Sequence, residues 1–220
     1  MNGFWAIFEL TLAEARRRRI LLAALVCGLA FVVMFGIGFY FVAREIHAHS
    51  PMILVKQRLV LSSFVLVGLD AANFLTIMTA ILMPVDTLSG EIASGVIQTL
   101  ASKPIRRSTI VLGKWLAHVC VLAGYLAVVA GGVLLVARLI GRVSPPGLEY
   151  GLPLMLLEGL VLVTLSLAGG SRFSTVTNGI VVLGLYGLAF VGSWTEQIGA
   201  AADNQAARYV GTVASLLEPS

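Results

Sequence analysis

Five long stretches of this chain carry almost no charge, and that constrains its fold more than any other feature. Ile20 to Ala43 is the first, rich in Leu, Val, Phe and Gly. Leu59 to Val85 is the second, interrupted only by Asp70 and Asn73. Ile110 to Ala137, Leu152 to Gly170 and the shorter Gly179 to Trp194 follow. A helix needs roughly 20 apolar residues to cross a hydrocarbon core about 30 Å thick. Backbone polar groups inside lipid must satisfy one another, which leaves helices or closed barrels. No ten-residue alternation of apolar and polar residues runs through these stretches, so the barrel is set aside. The expected fold is all-α, a polytopic transmembrane helix bundle with five spans.

Composition agrees with that reading. Of 220 residues, 58% are hydrophobic and only 12% are charged. A soluble domain usually carries about 25% charged residues to coat its surface. Disordered chains are poor in apolar residues, and two cysteines, Cys27 and Cys120, cannot staple a scaffold. The first apolar run is too long for a signal peptide and should stay in the mature protein. Lys and Arg set orientation. With the N-terminus in the cytoplasm, that side collects Arg16 to Arg19, Lys103, Arg106, Arg107, Lys114 and Arg172. The other side holds fewer: Arg44, Lys56, Arg58, Arg138, Arg142 and Arg208. The N-terminus is therefore expected in the cytoplasm, with the chain integral to the inner membrane. The net charge of +4 reads as attraction to anionic lipid, with no nucleic-acid partner.

Two segments outside the spans are amphipathic. Before the first span, Phe4, Trp5, Phe8 and Leu12 share one helical face, which predicts an interfacial elbow helix over residues 1–19. Between the second and third spans, Asp86 and Ser89 are candidate N-caps and Pro104 stops a helix. Ile92, Val96 and Leu100 then line one face, with Glu91, Ser94, Gln98 and Ser102 on the other. A short cytoplasmic helix is expected over residues 86–104, either resting on headgroups or meeting a soluble partner.

Glu91 and Gly95, then Pro104, Arg107 and the pair Gly113-Lys114, resemble the pattern of ABC-2 type transporter permeases. In that family a Glu–x–x–x–Gly segment precedes a Pro–x–x–Arg turn and a Gly-Lys that enters the third span. The resemblance takes in the N-terminal helix, Ser171-Arg172-Phe173 after the fourth span, and the closing Leu216-Leu217-Glu218-Pro219-Ser220. Within the family the chain looks most like the permeases of nitrous-oxide reductase and multi-copper maturation systems. The resemblance implies a permease subunit that pairs with a second copy or a paralogue. It implies two copies of a separate ATP-binding cassette subunit, which uses ATP and Mg. Residues 89–104 would be the coupling helix, with Glu91, Gly95, Pro104, Arg107, Gly113 and Lys114 as its coupling residues. The family has six spans where five are read here, so a sixth helix after Ser220 is expected to be missing.

The chain itself is not expected to hydrolyse ATP or to bind a cofactor. A phosphate-cradling loop needs Gly–x4–Gly–Lys–Ser/Thr. Here Ser108 stands where the first glycine belongs, and Trp115 where the hydroxyl belongs. Asp70, Asn73 and Glu158 are the polar residues set deep in spans, as part of a translocation route or as interhelical glue. No metal site is expected: His47, His49 and Met52 form an incomplete set in an outer loop. His118 and Cys120 read as packing residues. Glycine pairs at 36 and 38, 131 and 132, 169 and 170, and 184 and 187 permit close helix approach. Two other functions would leave different marks. A non-transporting membrane scaffold would recruit no ATPase through residues 89–104. An intramembrane hydrolase would need a Gly-x-Ser-x-Gly or His-Glu-x-x-His motif, and neither occurs.

Overall fold

A computed structural model describes residues 3–17, 19–49, 54–85, 87, 90 and 107–201. The described residues form helices and turns with no strand. The order is α1 (Gly3–Arg17), α2 (Arg19–His49), α3 (Leu54–Leu82), α4 (Arg107–Val136), α5 (Leu148–Gly170) and α6 (Thr175–Ala201). Five of these, α2 to α6, are long and apolar enough to cross a membrane. The protein is a polytopic helical bundle. Its helices overrun the apolar runs at both ends, because flanking polar residues extend a helix that lipid has already nucleated. The chain after Trp194 continues α6 as far as Ala201. Residues 202–220, and most of the cytoplasmic helix expected over 86–104, lie outside the described residues.

The turns follow from local chemistry. Pro84 ends α3, and Thr87 N donates to its carbonyl at 3.0 Å. A π-helical turn, Ala137–Gly141, closes α4, with Arg142 in the left-handed region at φ 50°. Pro145 and Pro146 then bar a helix until Gly147, at φ +80°, begins α5. Ser174 caps α6 by accepting a hydrogen bond from Thr177 N at 3.4 Å.

α3 and α4 form the middle of the bundle. In its most apolar stretch α3 is 50% buried, while α2 is 17% buried and lies at the edge. One core gathers Phe35 and Phe39 of α2, Leu61 and Val65 of α3, and Val129 and Val133 of α4. A second joins Ile77 and Ile81 of α3 to Leu122 of α4, Leu162 and Val163 of α5, and Val182 of α6. Phe35 stacks on Phe39 and on Phe64, with centroids 5.7 and 5.9 Å apart.

Among the paired glycines, only some serve close approach. Gly132 faces Val32 and Gly36 faces Val136 across the α2–α4 contact. Gly38, Gly131, Gly184 and Gly187 face open space. Gly68, not singled out by sequence, is the tightest in the aromatic core, where a β-carbon would overlap the Phe35 ring. Gly68→Ala should destabilise the bundle by about 1–3 kcal/mol, the usual cost of overpacking. Gly38→Ala should leave it unchanged. Thermal unfolding in detergent checks the pair.

Candidate functional site

Two of the coupling residues expected from sequence, Gly113 and Lys114, lie at one mouth of the bundle. α4 starts there at Arg107, the point where the chain returns from residues 88–106. Gly113 lies in the second turn of α4, with α1 pressed against it. A β-carbon at Gly113 would stand 3.0 Å from Ile7 Cγ2 and 3.5 Å from the Phe4 carbonyl oxygen. Glycine is what lets the two helices come this close. Lys114 is 2% exposed and His118 is 3% exposed, although both have polar side chains near a span end. Neither is without a partner.

His118 ties three pieces of chain together. Its Nδ1 lies 2.7 Å from the Lys114 carbonyl oxygen, which can only accept, so Nδ1 carries the proton. In the neutral ring Nε2 then accepts from the Thr87 hydroxyl at 3.1 Å. Thr87 is buried, and it stands where the chain leaves α3 for the coupling segment. Thr11 of α1, itself buried, donates to the Ile7 carbonyl at 2.9 Å and faces the same spot. Thr11, Glu14, Ala15, Thr87 and His118 close around a crevice with no room for water. Thr87 and the first third of α4 thus meet beside α1.

Sequence reasoning saw part of this. Gly113 and Lys114, read from sequence as coupling residues, lie where α1 meets α4. The side chains of Glu91, Gly95, Pro104 and Arg107 lie outside the described residues. Thr87 and Thr11 gave no sequence signal. His118, expected as packing, is buried but makes two polar contacts; its i+4 spacing from Lys114 was the available clue. α1 departs from expectation in one respect. Its Phe4, Trp5, Phe8 and Leu12 face stays partly open, with Trp5 exposed, while Ile7, Thr11 and Ala15 form a second, buried face.

The mid-span polar residues divide in two. Asn73 Nδ2 of α3 donates to Glu158 Oε2 of α5 at 2.8 Å. Asn73 Oδ1 is buried with no partner among the described residues. Asp70, one turn earlier, is exposed and takes no part in that bond. Cys120, expected in the core, is exposed, as is Cys27. The side chains of His47, His49 and Met52 lie outside the described residues.

Five helices long and apolar enough to cross a membrane, packed through buried polar contacts, make this an integral membrane protein. The chain belongs to the ABC-2 family transporter proteins, whose family model matches residues 5–208. No protein of curated function matches it. Membership makes it the transmembrane component of an ATP-binding cassette transporter, a kind of subunit that works with a separate ATP-binding protein.

Two substitutions check the geometry. Gly113→Leu should lift α1 from α4. In a chain lacking Cys27 and Cys120, maleimide labelling of Ala15→Cys should then rise about tenfold, equivalent to about 1.4 kcal/mol of lost docking. Unchanged labelling would mean that Gly113 does not seat α1. Glu158→Leu strands Asn73 in the interior and should cost about 1–3 kcal/mol, and adding Asn73→Leu should restore most of it. Thermal unfolding of the single and double variants gives the comparison.

Proposed function

We propose that this chain carries force from an ATP-binding partner into the membrane through residues 89–104, driving export of a substrate or a mechanical change across the bilayer. The observation that supports this most is the buried junction of Thr87, Lys114 and His118. The segment leaves the bundle at Thr87, and α4, into which it returns, holds Lys114 and His118. Closure of a partner around that segment would pull on α3, α4 and α1 together, because buried hydrogen bonds do not slacken as a solvated loop does. The working assembly in this reading has two permease copies and two ATP-binding subunits, with the N-terminus on the cytoplasmic face of the inner membrane. Chemistry stays in the partner, which binds ATP and Mg. Asp70, Asn73 and Glu158 then lie along the part of the bundle that moves.

The test is to co-express the chain with an ATP-binding cassette protein encoded beside it and to purify the complex in detergent. A stable 2:2 assembly is expected. Glu91→Lys should weaken it about tenfold or more, on the scale of a lost interfacial charge contact. A complex that ignores Glu91→Lys would place coupling elsewhere, and no association would remove the reading.

A further inference from the structure

Among the described residues, Asp70 is the one carboxyl exposed at mid-span. It has no hydrogen-bond or ion-pair partner among them, whereas the half-buried Glu158 meets Asn73. The basic residues of the spans stand toward one end or the other. Arg19 and Arg44 do so in α2, Lys56 and Arg58 in α3, and Arg107 and Lys114 in α4, with Arg138 just beyond α4. Neither α5 nor α6 carries any. Beside Asp70, α2 and α3 leave an apolar groove of about 380 Å³. Ala30, Phe31 and Met34 line it from α2, and Ala71, Phe74 and Leu75 from α3. Met34 and Phe74 are exposed, so the groove opens toward the bilayer. Asp70 stands on its rim: it directly precedes Ala71 and lies one helical turn from Phe74 on the exposed side of α3.

We propose that this groove and Asp70 form a binding site for a lipid-soluble organic cation, its apolar body in the groove and its positive centre at the carboxyl. That such a cation is also the exported substrate rests on the export reading above. An ionisable group at this depth calls for a partner, because acyl chains solvate neither a charge nor an unpaired polar group. The described spans hold no basic residue at that level. A second copy would bring the same spans, and so another carboxyl and no cation. An acyl chain of a phospholipid would fill the groove but offer Asp70 nothing, since its charges stay at headgroup depth. The counter-charge is left to a ligand. The groove's volume falls in the range of small-molecule pockets, about 300–1,000 Å³. Aromatic faces attract cations, and Phe31 and Phe74 supply two of them. The flexible thioether of Met34 adapts to bodies of different shape. A ligand already dissolved in the bilayer reaches the site sideways, without crossing water.

The probes are tetraphenylphosphonium and tetraphenylborate, ions of closely similar size and shape and opposite charge. Binding to the full chain in phosphatidylcholine nanodiscs is measured by equilibrium dialysis, with empty nanodiscs subtracted. Saturable phosphonium binding is expected, with tetraphenylborate bound at least about tenfold more weakly. Asp70→Asn, which keeps the side chain's shape, should weaken phosphonium binding about tenfold and leave thermal unfolding unchanged. Ala30→Trp, which fills the groove, should weaken it with Asp70 still in place. Absence of saturable phosphonium binding, equal binding of the two ions, or indifference to Asp70→Asn would each overturn the proposal. So would a tightly held phospholipid that phosphonium does not displace, which gives the groove to lipid. A disulfide-linked pair of Phe74→Cys chains lacking Cys27 and Cys120, formed as readily in excess phosphonium, would give it to a second copy and also overturn the proposal. If the ATP-binding protein co-purifies while neither ion binds, this site falls and the permease reading stands. Asp70-dependent phosphonium binding in a chain that recruits no ATP-binding protein would uphold the site and remove the export reading.

Discussion

An apolar side chain gains little by leaving acyl chains for another helix, so helix association in a bilayer rests on close packing and directed hydrogen bonds. The bundle is organised by that constraint. Several of the packed helix pairs carry polar ties. Tyr125 Oη donates to the Ala24 carbonyl at 3.2 Å between α4 and α2, and Trp115 Nε1 to Thr164 Oγ1 at 2.9 Å between α4 and α5. Ser166 Oγ reaches the Ile81 carbonyl at 3.3 Å, and Asn178 Nδ2 reaches the Ser166 carbonyl at 2.7 Å, linking α3, α5 and α6. Glycine does the rest. Gly169 leaves room for the Asn178 side chain, and Gly159 for Leu122. Remove these ties and what remains is a set of spans with no reason to choose one neighbour over another.

The ties are not spread evenly. Asn73–Glu158 holds the centre of the α3–α5 contact, and the Thr87–His118 contact holds one mouth. α3 is continuous helix from Asn73 to Leu82, and the turn at Pro84 joins it to Thr87. α2 makes its main contacts along α3 and α4 through the aromatic core. The bundle thus has a stiff spine of α3, α4 and α5, and looser edges.

How much of this could be read from the chain depends on which force wrote it. Membrane insertion acts on composition over some twenty residues, so the spans stood out before any coordinates. Packing acts on single faces, and faces are ambiguous in a uniformly apolar helix. Nothing in the α3 sequence says that Asp70 points outward while Asn73, three residues on, meets Glu158. α1 misled for a related reason. Its aromatic side chains draw attention to one face, yet the buried face is the plainer Ile7, Thr11 and Ala15, because it must lie against Gly113 and bulky rings would not fit. His118 and Thr87 lie 31 residues apart, and the segment between them carries no mark of their meeting. Gly113-Lys114 was legible only through its resemblance to a family pattern, and the structure supplies the reason for the glycine.

The seat of α1 on α4 also sets an order of events during biosynthesis. The helix made first, Gly3–Arg17, finds its main partner in Arg107–Val136, after two complete spans have been synthesised. At about 5–20 residues per second, that is a wait of roughly 5–20 s. A buried face bearing Thr11 and Ala15 gives α1 nothing to hold during that interval. Its other face, led by Trp5 and Phe8, gives it a membrane surface on which to park. The two faces of one short helix thus serve two stages in the life of the protein, the first as a mooring and the second as a keel.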